Sequence, residues 1–218
     1  MNQLPLLLRI KKEAHRKIAQ GQDMILEAVY ATFEKPILHG GTAIWRCYGG
    51  KRFSEDLDFY LPKQKQNIEQ LFLSLEKKGF KVLKKKISER SIYSELAFER
   101  ITIRLEATFQ KKEATLADYE TVNGRIIKIY SLSPEEFISE KVNAYLQRFK
   151  IRDLWDIYFL LGLVRDHRLV AKDLQRLLKH YKKPIDESDL QILILEGIVP
   201  NADQMIHYIQ RQWEKENI

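Results

Sequence analysis

The chain has 218 residues, 44% of them apolar and 11% aromatic, and a formal charge of +7, so a packed core in one sizeable domain or two small ones is expected, with no low-complexity tract. Its single cysteine, Cys47, excludes an internal disulfide and fits a reducing cytosol, and a cytoplasmic protein is expected. The N-terminal stretch MNQLPLLLRIKKEAHRK has a short apolar run followed by charges and reads as neither a signal peptide nor a membrane span.

The positive charge is unevenly spread. Residues 1–131 hold 24 Lys and Arg against 16 Asp and Glu, whereas residues 132–218 hold 13 against 14. A polyanion such as RNA would be drawn to the first part through phosphate contacts. A basic surface with no specific partner is the alternative.

In chain order, Leu4 to Gln20 and Met24 to Phe33 are predicted helices, broken by Gly21, with Asp23 as N-cap of the second. Ile37-Leu38 reads as a short buried strand. The turn Gly40-Gly41-Thr42 follows, and Thr42 to Arg46 starts a helix. A strand, glycine turn and helix N-terminus together offer free backbone N–H groups and a hydroxyl to a phosphate. Cys47 reads as core rather than nucleophile. Tyr48 to Arg52 is a flexible basic loop, in which Arg52 either holds a phosphate or pairs with Glu55. Leu57 to Leu61 alternates as a strand does, so Asp56 and Asp58 project to one face. Adjacent carboxylates repel unless a cation lies between them, and Mg²⁺ takes one or two carboxylates plus substrate phosphates. The order of turn and acids therefore points to metal-assisted phosphoryl or nucleotidyl transfer.

Gln66 to Lys78 is a predicted helix closed by Gly79. Phe80 to Ile87 is a predicted strand with a lysine-rich face, which either protects a sheet edge or tracks RNA. Tyr93 to Phe98 and Ile101 to Phe109 form a predicted hairpin, and Ile126 to Tyr130 a strand after the Asn123-Gly124 turn. Glu106 is the candidate third carboxylate, positioning or deprotonating an attacking hydroxyl; pairing with Arg104 is the alternative. Ser133-Pro134-Glu135-Glu136 is a capping box opening a helix to about Phe149. Only helices are predicted beyond it: Asp153 to Val164, Ala171 to Tyr181, Ser188 to Glu196 and Asp203 to Glu216. A boundary is placed at 131/132.

Gly-Gly-Thr-Ala at residues 40–43, Arg-Phe-Ser-Glu-Asp-Leu-Asp-Phe at 52–59, and Glu140-Lys141 with Arg148 and Arg152-Asp153-Leu154-Trp155-Asp156 resemble the AbiEii-type nucleotidyltransferases, the toxins of type IV toxin–antitoxin systems, within the polymerase-β-like superfamily. Thr42 stands where relatives often have serine.

The resemblance implies an α+β fold: a polymerase-β-like mixed sheet flanked by helices (1–131), followed by a C-terminal helical domain (132–218), with a cleft between them. It implies Mg²⁺ or Mn²⁺ on Asp56, Asp58 and Glu106, and an NTP whose phosphates lie on Gly40, Gly41 and Thr42. Arg52 and Ser54 correspond to the motif before the acids, and Lys141 to a lysine that contacts the triphosphate. Asp153 and Asp156 either hold Lys141 or contact ribose or base; N-terminal helix capping, which acidic residues favour, is the alternative. The implied acceptor is RNA such as tRNA, and the implied partner a cognate antitoxin. Transfer to a small molecule such as an antibiotic, or a non-catalytic nucleotide-binding module, are the alternatives. The basic first part favours RNA over a cationic antibiotic, and the intact carboxylates argue against an idle module.

Overall fold

A computed structural model describes residues 4–215. The chain divides into two compact units. The residues up to Gly49 belong with Phe53–Ser131, and Gly50–Arg52 belong with the residues from Leu132 onward.

The first unit begins with α1 (Leu6–Arg9) and α2 (Glu13–Thr32). Strand β1 (Ile37–His39) runs directly into α3 (Gly40–Tyr48), followed by β2 (Leu57–Tyr60) and α4 (Lys65–Lys77). Five strands complete the sheet: β3 (Lys81–Ile87), β4 (Ser91–Phe98), β5 (Ile101–Thr108), β6 (Thr115–Glu120) and β7 (Ile126–Ser131). Their spatial order is β3-β4-β5-β2-β1-β7-β6. The sheet is mixed: β1 pairs antiparallel with β2 and parallel with β7, and β2 pairs parallel with β5.

Alternation along the strands separates two faces. Leu57, Phe59, Ile103, Leu105, Ala107, Ile92 and Leu96 are buried, on the face where α2 and α4 pack. The register places His39, Asp58, Glu106, Tyr93 and Lys86 side by side on the opposite face.

Gly21 was expected to interrupt the first helix, yet α2 is continuous through it. A methyl group there would lie 2.4 Å from the Ile103 side chain, so the glycine lets helix and sheet approach closely. Asp23 is accordingly no N-cap. It sits inside α2 and accepts from Tyr119 Oη (2.8 Å), the Val122 amide (2.8 Å) and Arg46. Strand β6 was not anticipated. Leu116 and Asp118 are exposed and Ala117 and Tyr119 buried, but its polar residues read as loop. The lysine-rich β3 lies at a sheet edge. The β4–β5 connection is a tight hairpin in which both Glu99 and Arg100 take left-handed backbone (φ 43° and 69°).

The second unit is helical: α5 (Pro134–Arg148), α6 (Ile151–Leu161), α7 (Ala171–His180), α8 (Leu190–Leu193) and α9 (Ala202–Lys215). The capping box at the start of α5 is complete, with Ser133 accepting from the Glu136 amide and Glu136 from the Ser133 amide. The single helix expected over Ser188 to Glu196 is a 3₁₀ turn followed by the short α8, and Glu216, the expected end of the last helix, lies outside the described residues. Among the described residues no helix is long and apolar enough to cross a membrane.

Candidate active site

In the first unit the site is built where β1 becomes α3. His39 is still extended, and Gly40, at φ +73°, turns the chain straight into the helix. No L residue fits there: a Cβ on Gly40 would sit 2.1 Å from Asp58 Oδ2. The turn and the acidic strand are therefore in direct apposition. Gly40→Ala is expected to push the Asp58 carboxylate aside and to cost at least tenfold in nucleotide affinity; isothermal titration of an NTP checks this, and unchanged affinity would separate the turn from nucleotide binding.

Thr42 is wholly buried. Its hydroxyl donates to the Asp56 carbonyl, and Gln22 Nε2 donates to the Ser54 carbonyl at 2.9 Å. These bonds fix the segment leading into β2. The Thr42 hydroxyl and the Ser54 carbonyl are thus both engaged within the protein, and Ser54 is itself buried. Gln22 was missed from the sequence. It stands at helical spacing from Ile18, Ile25 and Leu26, and a polar residue on a buried helix face is the signal that could have found it.

Asp58 pairs in register with Glu106 on one side and His39 on the other. Burial, then the charge of Asp58, raises the pKa of Glu106 above the ordinary carboxylate value. Asp56 projects near them, but Arg104 holds both its oxygens at 2.8 and 2.6 Å. Sequence reading offered Arg104 as a partner of Glu106; its hydrogen bonds go to Asp56. Among the described residues no cluster of three or more His, Cys, Asp or Glu side chains is gathered as a ready metal site. What the sheet brings together is two hard oxygen donors, Asp58 and Glu106, a donor type that fits Mg²⁺ or Mn²⁺ sharing its remaining positions with phosphate oxygens.

The second unit holds a buried charge cluster. Arg52 bonds to Asp156 through two nitrogens, at 3.0 and 2.8 Å, a partner that sequence reading did not offer. Lys141 Nζ lies 2.7 Å from Asp156 and 3.7 Å from Asp153. Arg148 grips Asp153 at 2.7 and 2.8 Å. Both aspartates are buried, and their oxygens are engaged by these cations. Of the roles open to them, the geometry matches holding Lys141, whose side chain retains 10% exposure. Burial pushes Asp156 upward, but Arg52 and Lys141 outweigh it and hold the carboxyl below its usual value. Cys47 is half-buried rather than part of the core expected for it, and burial pushes its thiol up to about 12.

A mixed sheet flanked by helices, carrying a glycine turn against an acidic strand, is a nucleotidyltransferase fold. The chain belongs to the family described as "Nucleotidyl transferase AbiEii toxin, Type IV TA system", whose model matches residues 25–216. It is similar to the crystal structure of JHP933 from Helicobacter pylori, at 20% identity and a TM-score of 0.61, covering 95% of this chain and 96% of that one. It is also similar to a crystal structure titled "putative nucleotidyltransferase from H. pylori", at 21% identity and a TM-score of 0.65, covering 95% and 98%. These two likenesses concern the fold. No curated protein matches.

Proposed function

We propose that this chain is a metal-dependent nucleotidyltransferase that moves a nucleoside monophosphate from an NTP to an RNA acceptor such as tRNA, and that it acts as a toxin held in check by a cognate antitoxin. The observation that carries the reading is the contact of Gly40 with Asp58, with Glu106 in register beside it. The amides at the start of α3 point their partial positive charge toward a triphosphate. Asp58 and Glu106, joined by Asp56, would hold Mg²⁺. The metal supplies charge stabilisation for the entering and leaving oxygens of an in-line displacement at the α-phosphorus.

Glu106, in register beside Asp58, is placed to position or deprotonate the attacking hydroxyl. Arg104, which pairs with Asp56, is suited to meet a phosphate oxygen beside it. Lys141 offers a point charge to the triphosphate, kept in place by Asp153 and Asp156. The membership of the family, the basic first part and the intact carboxylates favour an RNA acceptor over a cationic small molecule or an idle binding module.

Incubation with each labelled NTP, Mg²⁺ and total cellular RNA, resolved on a gel, tests the reading. A labelled RNA band with one NTP is expected. Label on no RNA with any of the four would overturn the acceptor assignment.

A further inference from the structure

On the same sheet face, two residues beyond Asp58 along β2, Tyr60 opens a groove of about 620 Å³. Four lysines line it, Lys35, Lys63, Lys111 and Lys112, above a floor that includes Tyr60 and Tyr130. Glu34 is the only carboxylate in the lining. Lys63 meets the exposed Glu89. Lys35, Lys111 and Lys112 are exposed and, among the described residues, make no ion pair; Lys112 Nζ instead lies 5.6 Å from the centre of the Tyr60 ring. Lys35 is held at φ +51°, a conformation in which glycine would be unstrained, so the chain keeps a side chain at this rim at a cost in backbone energy.

Tyr60 ties the groove to the strand that carries Asp58. The His39 ring stacks on Tyr60 at 3.9 Å, and His39 faces Asp58 across the ladder. Two strand residues span about 7 Å, roughly one nucleotide. A volume of this size holds a base with its sugar, uncompensated lysines attract backbone phosphates, and aromatic rings accept stacked bases.

We infer that this groove seats the single-stranded segment of RNA next to the reacting end, with its phosphates on Lys35, Lys111 and Lys112 and a base against the tyrosine floor. The choice of RNA rests on the transfer reading above; the groove rests on its own geometry. It places the acceptor strand at the end of β2 rather than along the lysines of the β3 edge. There Lys84 already faces Glu95 at 3.5 Å, whereas Lys35, Lys111 and Lys112 make no ion pair among the described residues.

The test is the binding of a short labelled single-stranded RNA, followed by anisotropy across a salt series without NTP. The wild type is compared with the combined Lys35→Gln, Lys111→Gln, Lys112→Gln variant and with the combined Lys84→Gln, Lys85→Gln, Lys86→Gln variant. All six positions are exposed, so folding is preserved. For three lost phosphate contacts at about 0.7 each, the slope of log affinity against log salt should fall by about 2 in the groove variant, with binding roughly tenfold to a hundredfold weaker at low salt. The β3 variant should change far less. Wild-type slope and affinity in the groove variant would overturn the inference, as would an equal loss of inorganic polyphosphate binding, which would mark a general anion surface. The labelling assay is read separately. If RNA binds through the groove and no RNA is labelled, the transfer reading fails and the groove stands. If RNA is labelled and the groove variant keeps the wild-type KM for it, the groove fails and the transfer reading stands.

Discussion

Asp58→Asn is expected to lower nucleotidyl transfer by about a thousandfold while leaving the melting temperature within a few degrees of wild type. The substitution keeps the shape that Gly40 closes upon and removes one of two carboxylates that face each other across the β2–β5 ladder. A site that relies on metal-borne charge stabilisation loses several kcal/mol of it, and each 1.36 kcal/mol is about tenfold in rate. Asp56→Asn should cost activity too, with a different stability signature. It also breaks the two-point contact with the half-exposed Arg104, a pair worth about 1 kcal/mol or less at such exposure. The measurement is transfer of labelled nucleotide with Mg²⁺ beside circular-dichroism melting. An Asp58→Asn protein with near-normal transfer would remove this carboxylate from the metal site.

Much of this site is legible in the sequence because its chemistry is local. The strand, glycine turn and helix occupy consecutive residues, and period-two alternation alone places Asp56 and Asp58 on one face. Glu106 is found because an apolar run before it marks a strand, although only the fold reveals that β5 lies parallel and adjacent to β2. Long-range partner choice is what the sequence hides. Arg104 sits two residues from Glu106, yet its guanidinium reaches Asp56, 48 residues away in sequence. Arg52 lies next to the acidic motif but belongs to the second unit, where its partner is Asp156, 104 residues on. Gly21 reads as a helix breaker because local propensity disfavours glycine; the packing of Ile103 against it outweighs that propensity. The groove at Tyr60 draws lysines from three separate loops, so no window of sequence displays it.

Asp156→Ala is expected to be the most destabilising single change near the candidate site, and its effect is on the second unit. Asp156 is 1% exposed and neutralises both Arg52 and Lys141. Removing it takes from two buried cations the carboxylate that both engage, while the neighbouring Asp153 is already held by Arg148. Breaking a buried pair by deleting one partner costs about 3–5 kcal/mol. In a chain of this size that corresponds to a melting temperature lower by roughly 6–20 °C. The pH dependence follows from the same contacts. Because the folded-state carboxyl of Asp156 titrates below its unfolded value, its contribution is complete at neutral pH and is lost only as pH falls through that depressed value. Wild type and variant melts should therefore differ most near neutrality and converge in strong acid. A second variant separates charge from packing: combining Asp156→Leu with Arg52→Met and Lys141→Met removes Asp156 together with both of its cations, leaves Asp153 paired with Arg148, and should recover most of the lost stability, since well-packed apolar replacements of buried ion clusters are often neutral or better. It should not recover nucleotide binding, which in the proposed reading needs the Lys141 charge. Differential scanning calorimetry across pH, alongside NTP titration, reads both. A neutral-pH melt of Asp156→Ala within two or three degrees of wild type would mean that water reaches the cluster and that Asp156 does not hold Lys141.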